Sequence, residues 1–529
     1  MASSKLDACW TEAGRRSSAS TVVSGLLLGA GLLLALLYAA SLSPWIDIGY
    51  FSSHDPASYI GRAVALVNGA GYGEQYANDF YPTRIHSPGM ALILTPVVAI
   101  FGVNFFALKM FMLCLAAGLA YAMGLFFERF LGKGSRAGAA LLLFMASPVI
   151  MGLSHRVLAE IPLFACAAVT LVMLDRYLRD RESSGATLLW AALFSWGAFF
   201  LKPTAGLLGA GWLLWLHPLY RNRVIFRKVL IFTLLAAAPI AAWTMWQAAT
   251  PAKGYFGQTY ADMLLLENHF ELGGPAASLA DWIERIRGNV LWGFMSNAAA
   301  ILVAPLWFME GTKEGFLIGA PIMAVITVVG VWRFIKEPTV LEGFFVASAL
   351  VCLLVIQGMS ERYTAILYPA IIVYFMNFTG SGRIGRIGRW LMGGLIITAL
   401  AASAVSAKEQ AARPYRWDVA ADYVALAEEV RDELPADSTC VAPLISHWQI
   451  LTRHLCYVDW EESGAGIGEA GYYVIPAEGM DREGVRFKDF ENDVLYEAQE
   501  IERALRGHGL AIRTVFENDT FRIVKSAGV

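Results

Sequence analysis

Long apolar runs alternate with short polar connections from the N-terminus to residue 407. After a first run at 21–42, the runs lie near 104–128, 135–153, 158–178, 186–201, 205–219, 228–249, 315–334, 341–359, 362–380 and 389–407. Most of them approach the ~20 residues that a helix needs to cross the hydrocarbon core of a bilayer. The pattern therefore predicts an all-α polytopic membrane domain with about 11 transmembrane helices.

Basic residues in the connections predict which side of the membrane each connection faces. Arg15 and Arg16 precede the first run and place the N-terminus in the cytoplasm by the positive-inside rule. The first run spans without a small-residue cleavage site, so we interpret it as a signal anchor. Basic clusters that should face the same side lie at 129–136, 176–181, 221–228, 333–336 and 383–389.

A further apolar run at 289–308 would reverse the orientation of all later spans if it crossed alone. Its charged, amphipathic lead-in at 281–287 favours a re-entrant helix or one that lies at the membrane interface. If this run and 88–103 both form spans, the number of crossings rises to about 13.

Beyond residue 407 the composition becomes charged and mixed. Helix-like segments at 418–434 and 493–507, with strand-like segments at 438–444, 471–475 and 521–524, predict a small α/β domain. We divide the chain into a membrane domain at 1–407, with external loops at 43–103 and 250–314, and an α/β domain at 408–529. The odd number of crossings places this second domain outside, in the periplasm or extracellular space.

Composition excludes a water-soluble globule and argues against a nucleic-acid partner. Hydrophobic residues make up 57% of the chain and charged residues 16%, against about 25% charged residues in typical soluble proteins. The net charge of -3 lacks the basic excess that binding to a phosphate backbone requires. Membrane lipids are the expected surroundings.

The cysteines allow one disulfide and no structural zinc site. Cys440 and Cys456 both fall in the predicted external domain, where an oxidising compartment would permit a bond. The sequence leaves open whether the two residues lie close enough to form it. No spacing of Cys and His resembles a structural zinc site.

Ionisable residues gather in the predicted first external loop and at the external ends of spans. If a helix begins at Pro56, then Asp55, Tyr59 and Arg62 share one face through their i, i+4, i+7 spacing. An aspartate before proline is equally typical of a helix N-cap. Glu160 begins a span, where it could face the same cavity or complement the helix dipole.

Several short motifs occur in an order that resembles the order found in a known family. Asp55 and Tyr59 are followed by Gly69-x-Gly71-Tyr72, Ser87-Pro88-Gly89, the stretch from Ser154 to Pro162, Leu201-Lys202-Pro203-Thr204, and Glu361-Arg362-Tyr363 with Pro369. Their order and their predicted external positions resemble the GT-C membrane glycosyltransferases. The similar branch is the bacterial one related to protein O-mannosyltransferases and the lipid A aminoarabinose transferase. The resemblance covers roughly the first three quarters of the chain.

The resemblance implies transfer of a sugar from a polyprenyl-phosphate carrier at the outer face of the cell inner membrane. The acceptor would be an envelope glycolipid such as lipopolysaccharide, a polysaccharide or a protein hydroxyl. Inverting displacement of this kind needs a carboxylate to activate the acceptor hydroxyl. It also needs cations to hold the charge on the departing phosphate.

We assign Asp55 as the catalytic base and Glu160 as a second acidic residue of the site. Candidate substrate-binding residues, mainly for the phosphate, are Lys202, Arg84, Arg362, His86, Arg156 and Tyr59. Interfacial snorkelling is the alternative explanation for Lys202, and an interfacial anchor is the alternative for Arg362.

The residue before Asp55 leaves the question of a metal open. The family often carries a second acidic residue beside this aspartate, whereas this chain has His54. A divalent metal is therefore possible, with His54 as its ligand, as a proton relay or as a plain loop residue. No other cofactor is expected.

Two further interpretations stay open. The aromatic residues Trp243, Trp246, Tyr255, Phe256 and Tyr260 fit either sugar-stacking rings or an interfacial aromatic belt. A lipid-linked sugar flippase or transporter would also be polytopic, but it would place its ionisable residues near mid-span. A non-enzymatic assembly or sensor protein gives no reason for the charged candidates to recur on one side.

Overall fold

The computed structural model describes the chain in segments. These are residues 28–40, 42, 54–75, 80–84, 87–180, 184–203, 223–250, 259, 265–266, 276–294, 297–309, 312–336, 339–354, 361–379, 384–412, 418–435, 438–443, 445–453, 455–456, 470–477, 490–518 and 520–526. Two of the predicted site residues are not fully described. His86 lies outside these segments, as does the side chain of His54. The predicted run at 205–219 lies outside them too.

Helices follow the apolar runs. In the membrane domain they are α1 (Leu28–Ala40), α2 (His54–Val67), α3 (Gly89–Phe101), α4 (Phe105–Leu131), α5 (Ser135–Met145), α6 (Pro148–Ser154), α7 (Glu160–Arg179), α8 (Gly185–Leu201), α9 (Arg223–Ala249), α10 (Leu279–Gly288), α11 (Lys313–Lys336), α12 (Val340–Leu354), α13 (Glu361–Thr364), α14 (Tyr368–Thr379) and α15 (Ile384–Ala412). The chain is a polytopic membrane protein, as its composition predicts.

Within the described segments, 5 helices are long and apolar enough to cross a membrane, or 6 if the bent pair α5 and α6 forms one span. Four shorter apolar helices, which include α1, α3 and α8, add to them. The total of about 11 crossings therefore stays a prediction.

The predicted run at 135–153 is a broken helix. α5 and α6 meet at an angle of 65° across Ala146 and Ser147. The proline that begins α6 has no N–H group to continue the hydrogen-bond ladder. Side chains from other helices donate to the freed carbonyls: Tyr38 donates to the Met145 carbonyl at 2.9 Å, and Ser403 donates to that of Ala146 at 2.5 Å. The kink is thus tied to α1 and α15.

The segment at 289–308 differs from the single helix that the sequence predicts. α10 begins with a capping box between Ser278 and Asp281. It is followed by a π-helical turn at Asn289–Phe294 and by 3-10 turns at Asn297–Ile301 and Ala304–Met309. Residues 298–302 are buried against the helix bundle.

The C-terminal region is the predicted small α/β domain. Its elements are α16 (Asp418–Val430), β3 (Thr439–Val441), α17 (Ile445–Thr452), β4 (Leu455–Cys456), β5 (Tyr472–Pro476), α18 (Phe490–Gly507), β6 (Ile512–Glu517) and β7 (Phe521–Ser526). The sheet has the order β4-β3-β5-β7-β6, with β3 parallel to β4 and β5, and β7 antiparallel to β5 and β6. α17, β4 and β6 are additions to the elements that the sequence predicts.

The first predicted external loop folds against both domains. α2 packs on α3 and on α17 of the C-terminal domain. A small antiparallel hairpin, β1 (Gly73–Gln75) and β2 (Phe80–Pro82), follows α2. Gln449 of α17 donates to the backbone oxygen of Gln75 at 3.1 Å.

Candidate active site

Four charged side chains from four elements meet at one end of the helix bundle. The Arg362 guanidinium donates through Nη2 to Oδ2 of Asp55 at 2.6 Å, and its Nε lies 3.4 Å from Oε1 of Glu160. Lys202 Nζ donates to the same Glu160 oxygen at 2.5 Å. Two carboxylates and two cations therefore form one connected cluster.

The cluster is shielded from solvent. The side chains of Glu160 and Arg362 are 2% and 4% exposed, and that of Asp55, the most accessible of the cluster, is 14% exposed. Ion pairs in such surroundings are screened little and carry a large desolvation cost. A buried charged cluster of this kind at the end of a membrane helix bundle is a candidate functional site.

An aromatic ring lies against both cations. Lys202 Nζ is 4.5 Å from the centroid of the Tyr363 ring, and the Arg362 guanidinium carbon is 4.9 Å from it. Arg362 Nη2 also donates to the Tyr363 hydroxyl at 3.1 Å. The ring thus stabilises the two cations side by side through cation–π contacts.

Local sequence explains how each carboxylate enters the site. Asp55 lies in the first turn of α2, and Glu160 is the first residue of α7. Free backbone N–H groups at a helix N-terminus favour a negative charge. The same position that suits a helix start therefore also directs each carboxylate to the bundle end.

A close backbone contact holds the chain just before Lys202. Ser87 donates to the Phe199 carbonyl at 3.3 Å. A Cβ atom on Gly89 would lie 2.4 Å from the Phe200 carbonyl oxygen, so only glycine allows this approach. Ser87-Pro88-Gly89 shapes the start of α3 and fixes the end of α8, from which Lys202 projects.

A cavity of about 30 Å³ adjoins the cluster, roughly the room for one water molecule. Glu160, Lys202, Arg362 and Tyr363 line its charged side. Its remaining walls are mostly apolar and come from α7, α12 and the turn before α14; they are Leu163, Phe164, Ser348, Val351, Cys352 and Ile366. Two cations lie beside an apolar wall, which is the chemistry that a phosphate attached to a hydrocarbon chain requires, and a cavity of this size would have to widen to admit one.

The other predicted residues lie at varying distances from the cluster. Tyr59 is buried on α2, one turn from Asp55, and Arg156 is buried in the connection between α6 and α7. Arg84 lies between β2 and α3, and its backbone oxygen accepts from Gln247 of α9 at 2.5 Å. The ion pairs that form the cluster do not include Arg84 among the described residues, so its assignment as a phosphate ligand stays a prediction.

Two features of this region escape the motif reasoning. Tyr363 is part of the Glu361-Arg362-Tyr363 motif, which predicts no role for it, although its ring contacts both cations. Arg62 forms a buried ion pair with Glu74 at 2.7 Å, which joins α2 to β1. The i, i+7 spacing predicts that Arg62 shares a helix face with Asp55, but nothing in the sequence predicts its pairing with Glu74.

Whether a divalent metal binds beside Asp55 depends on His54, whose side chain the structure does not describe. Among the described residues, no three side chains of His, Cys, Asp or Glu come together as a metal site. His54, the residue that could bind a divalent metal, is thus not tested as a ligand. The two carboxylates of the cluster are already held by Lys202 and Arg362.

Comparison with known proteins yields matches in structure and none in sequence. No family model matches the chain, and no curated protein matches it by sequence. The structure of ArnT from Cupriavidus metallidurans bound to undecaprenyl phosphate is similar, with a TM-score of 0.59, 11% identity, and coverage of 95% of this chain and 98% of that one. The apo structure of the same ArnT has a TM-score of 0.58 and 12% identity over 96% of this chain and 98% of that one.

The arabinofuranosyltransferase AftD from Mycobacteria is similar over 94% of this chain and 40% of its own, with a TM-score of 0.50 and 14% identity. ArnT and AftD both belong to the GT-C superfamily. The resemblance in motif order is therefore matched by a resemblance in three dimensions along nearly the whole chain. The chain has the fold of the GT-C membrane glycosyltransferases.

Proposed function

We propose that this protein transfers a glycosyl group from a polyprenyl-phosphate-linked sugar to an acceptor at the outer face of the cytoplasmic membrane. The observation that carries the proposal is the buried cluster of Asp55, Glu160, Lys202 and Arg362 beside an apolar cavity. Undecaprenyl phosphate, the molecule bound in the similar ArnT structure, has the chemistry that this combination suits. It joins a phosphate to a hydrocarbon chain.

Lys202 and Arg362 would hold the carrier phosphate. A guanidinium can bind two phosphate oxygens at once, and an ammonium supplies a compact charge. As the bond between the sugar's anomeric carbon and the phosphate oxygen breaks, both cations stabilise the charge left on the phosphate. Glu160 orients the two cations and keeps them together.

Asp55 would act as the general base. It accepts the proton of the acceptor hydroxyl while that oxygen attacks the anomeric carbon from the face opposite the phosphate, which inverts the configuration. In the free protein Arg362 pairs with this carboxylate, and a paired carboxylate is a poor base. A phosphate that draws Arg362 away therefore frees Asp55 when the donor is in place.

The test is chemical analysis of the cell envelope. Cells that lack the protein are complemented with wild type, Asp55→Asn or Asp180→Asn at matched expression, and their glycolipids, glycans and glycoproteins are compared by mass spectrometry. Asn caps a helix about as well as Asp, so Asp55→Asn removes the charge and keeps α2. Asp180, whose side chain is 47% exposed and pairs with Arg129 at the other end of the bundle, is the matched control.

We expect one sugar to disappear in the null strain and to return with wild type and Asp180→Asn only. Return of the sugar with Asp55→Asn would contradict the role of Asp55 as base. If the null strain kept an unchanged set of glycans and accumulated carrier-linked sugar on the inner leaflet, the protein would be a flippase and not a transferase.

A further inference from the structure

Three aromatic rings form a second group between the first predicted external loop and α9. The indoles of Trp243 and Trp246 are stacked, with centroids 4.6 Å apart and planes at 20°. The Tyr72 ring lies 6.2 Å from the first and 6.3 Å from the second. The two tryptophans are three residues apart on α9, so their rings lie over one another on one side of the helix. Each indole keeps the ring face that its neighbour does not cover.

Polar atoms in this group lack hydrogen-bond partners. Among the described residues, Thr83 Oγ1, Arg84 Nε and Trp243 Nε1 are buried and bond to nothing. Thr83 is 0% exposed and Trp243 is 8% exposed. The bond from Gln247 to the Arg84 backbone oxygen, 2.5 Å long, places Arg84 beside α9 one turn from Trp243.

These unpaired atoms call for a ligand. A buried polar atom without a partner costs roughly 1–3 kcal/mol. Three of them, on Trp243, on Arg84 beside α9 and on its chain neighbour Thr83, indicate missing hydrogen-bond partners. An interfacial aromatic belt explains the rings, because belt residues place apolar faces in lipid and polar tips in water. It does not explain an indole N–H turned into a buried position.

A sugar ring supplies both kinds of contact. Its axial C–H groups form a flat apolar face that stacks on an indole. Its hydroxyl oxygens accept from N–H groups, and its O–H groups donate to a threonine hydroxyl. The Tyr72 phenol is protonated at neutral pH, and burial raises its pKa further above that range, so it is a further hydrogen-bond donor. A hydrocarbon chain would leave the buried polar atoms unpaired, and a bare phosphate would leave the indole faces without a partner, whereas a sugar ring contacts both.

The position of the group favours the acceptor over the donor. The Tyr72 hydroxyl interacts with Arg62, which lies on the same face of α2 as Asp55, two turns away. Seven residues of helix correspond to about 10 Å, one or two sugar units. A sugar that stacks here can direct a hydroxyl of its own or of a neighbouring unit toward Asp55, whereas the donor sugar must stay beside Lys202 and Arg362.

We propose that Trp243, Trp246 and Tyr72, with Thr83 and Arg84, form a carbohydrate-binding subsite for the acceptor. The proposal rests on the proposed function, because it identifies the acceptor as a molecule that already carries sugar. It selects a glycan or glycolipid over an unmodified protein hydroxyl.

Binding is tested on the full-length protein in lipid nanodiscs by saturation-transfer NMR. The probes are the methyl β-glycosides of glucose, galactose, mannose and N-acetylglucosamine. The corresponding alditols, which have the hydroxyls but no ring face, serve as ligand controls. We expect transfer to the ring C–H protons of at least one glycoside and none to its alditol.

Variants separate the subsite from the surrounding bundle. Trp246→Ala should abolish the signal, and Trp243→Phe, which keeps a ring and loses the N–H group, should weaken binding about 10-fold, the loss expected for one hydrogen bond. Trp190→Ala is the control, since Trp190 is 52% exposed on α8 and packs on Phe194. Thermal unfolding of each variant shows whether the fold is kept.

The two proposals fail differently. Asp55→Asn should bind the glycoside as wild type does and lose transfer, so binding without any transfer in the wild type would reject the proposed function alone. Equal signals from glycosides and alditols, or an undiminished signal in a Trp243→Phe/Trp246→Ala variant that is folded, would overturn the subsite. In that case the rings are an interfacial aromatic belt.

Discussion

Glu160 holds both cations of the candidate site through a single oxygen atom. Its Oε1 accepts from Lys202 at 2.5 Å and lies 3.4 Å from Arg362 Nε. Burial makes each charge depend on its partner, because removing one member of a buried pair leaves the other without compensation. Stability and activity are therefore coupled at this residue, and they can be separated by a pair of substitutions.

Lys202→Met should destabilise the protein by about 3 kcal/mol, because it removes one of the two cations that compensate Glu160. Adding Glu160→Gln should restore much of the stability and none of the transfer, since no ammonium remains for the phosphate. Thermal unfolding followed by size-exclusion chromatography measures the first effect, and the envelope assay measures the second. Arg287→Met is the control, because its pair with Glu284 is on the surface, with side chains 64% and 66% exposed, and such pairs contribute little. Glycosyl transfer by the double variant would show that Lys202 does not bind the carrier phosphate.

Gly89→Ala should reduce both stability and transfer. The added Cβ would lie 2.4 Å from the Phe200 carbonyl oxygen, and a backbone oxygen cannot rotate away as a side chain does. Either α3 or the end of α8 must move, and Lys202 moves with the latter. Gly118→Ala in α4 is the matched control, because a Cβ there meets nothing within 4 Å and alanine favours helix. Normal transfer by Gly89→Ala would show that the position of Lys202 tolerates displacement.

At the scale of elements, α17 of the C-terminal domain contacts the helix that carries Asp55. Gln449 accepts from the Cys456 backbone N–H at 2.7 Å and donates to the Gln75 backbone oxygen at 3.1 Å. One side chain thus joins β4 to the hairpin that follows α2. We infer that the C-terminal domain supports the orientation of α2.

Gln449→Ala should lower transfer several-fold while the C-terminal domain stays folded. The lost hydrogen bonds are worth about 1 kcal/mol each, enough to loosen the contact without unfolding the sheet. The envelope assay measures transfer, and limited proteolysis measures the integrity of the domain. Arg513→Ala, an exposed change on β6 of the same domain, should have no effect. Equal glycosyl transfer by the two variants would show that the C-terminal domain does not support the orientation of α2.

Elements are predictable from sequence where one physical demand dominates. In lipid the backbone must satisfy its own hydrogen bonds, so an apolar run such as 104–128 has helix as its only solution, and α4 is found there. The break at Ala146 depends on side chains from α1 and α15 that donate to the free carbonyls of Met145 and Ala146. β4, with two residues, is too short for any periodicity, so it exists only through pairing with β3.

The candidate site is also predictable only in part: the sequence predicts which residues are candidates, but not which of them are in contact. The order and predicted sidedness of the motifs predict Asp55, Glu160, Lys202 and Arg362 as site residues, and in the structure these four side chains form one chain of ion pairs. Arg84 was selected on the same grounds, yet the bond between its backbone and α9 places it with the aromatic group. Which charged residues at one end of a bundle touch one another depends on helix rotation, and the motif spacing does not contain this information.

At the scale of the molecule, the two ends of the bundle carry different charge arrangements. The end opposite the candidate site holds Arg129 between Asp175 and Asp180, at 2.7 and 2.9 Å, and the pair of Arg333 with Glu342 at 3.0 Å. The positive-inside rule predicts that this end faces the cytoplasm. The candidate site and the C-terminal domain then face the other compartment, and this orientation stays a prediction with a direct test.

Cys440 and Cys456 report the compartment of the C-terminal domain. They are register partners on the parallel strands β3 and β4, and both are free and buried. Neighbouring strands lie about 4.8 Å apart, a spacing that a disulfide accommodates. The hydrogen bond from the Cys456 thiol holds the pKa of Cys440 below its usual range, while burial raises the pKa of Cys456, so Cys440 is the first of the two thiols to ionise.

We expect these two cysteines to be oxidised in protein taken from cells, because an external domain meets an oxidising compartment and a cytoplasmic one does not. Cells are lysed into denaturant with an alkylating reagent and no reductant, and peptides are mapped by mass spectrometry. Cys440 and Cys456 should appear as one linked pair, while Cys352 of α12 should be alkylated with or without reductant. Because a lowered pKa leaves more thiolate at a given pH, the reduced pair should re-oxidise at a lower pH than an ordinary thiol pair. Alkylation of both cysteines without reductant would place the C-terminal domain, and with it the candidate site, on the cytoplasmic side.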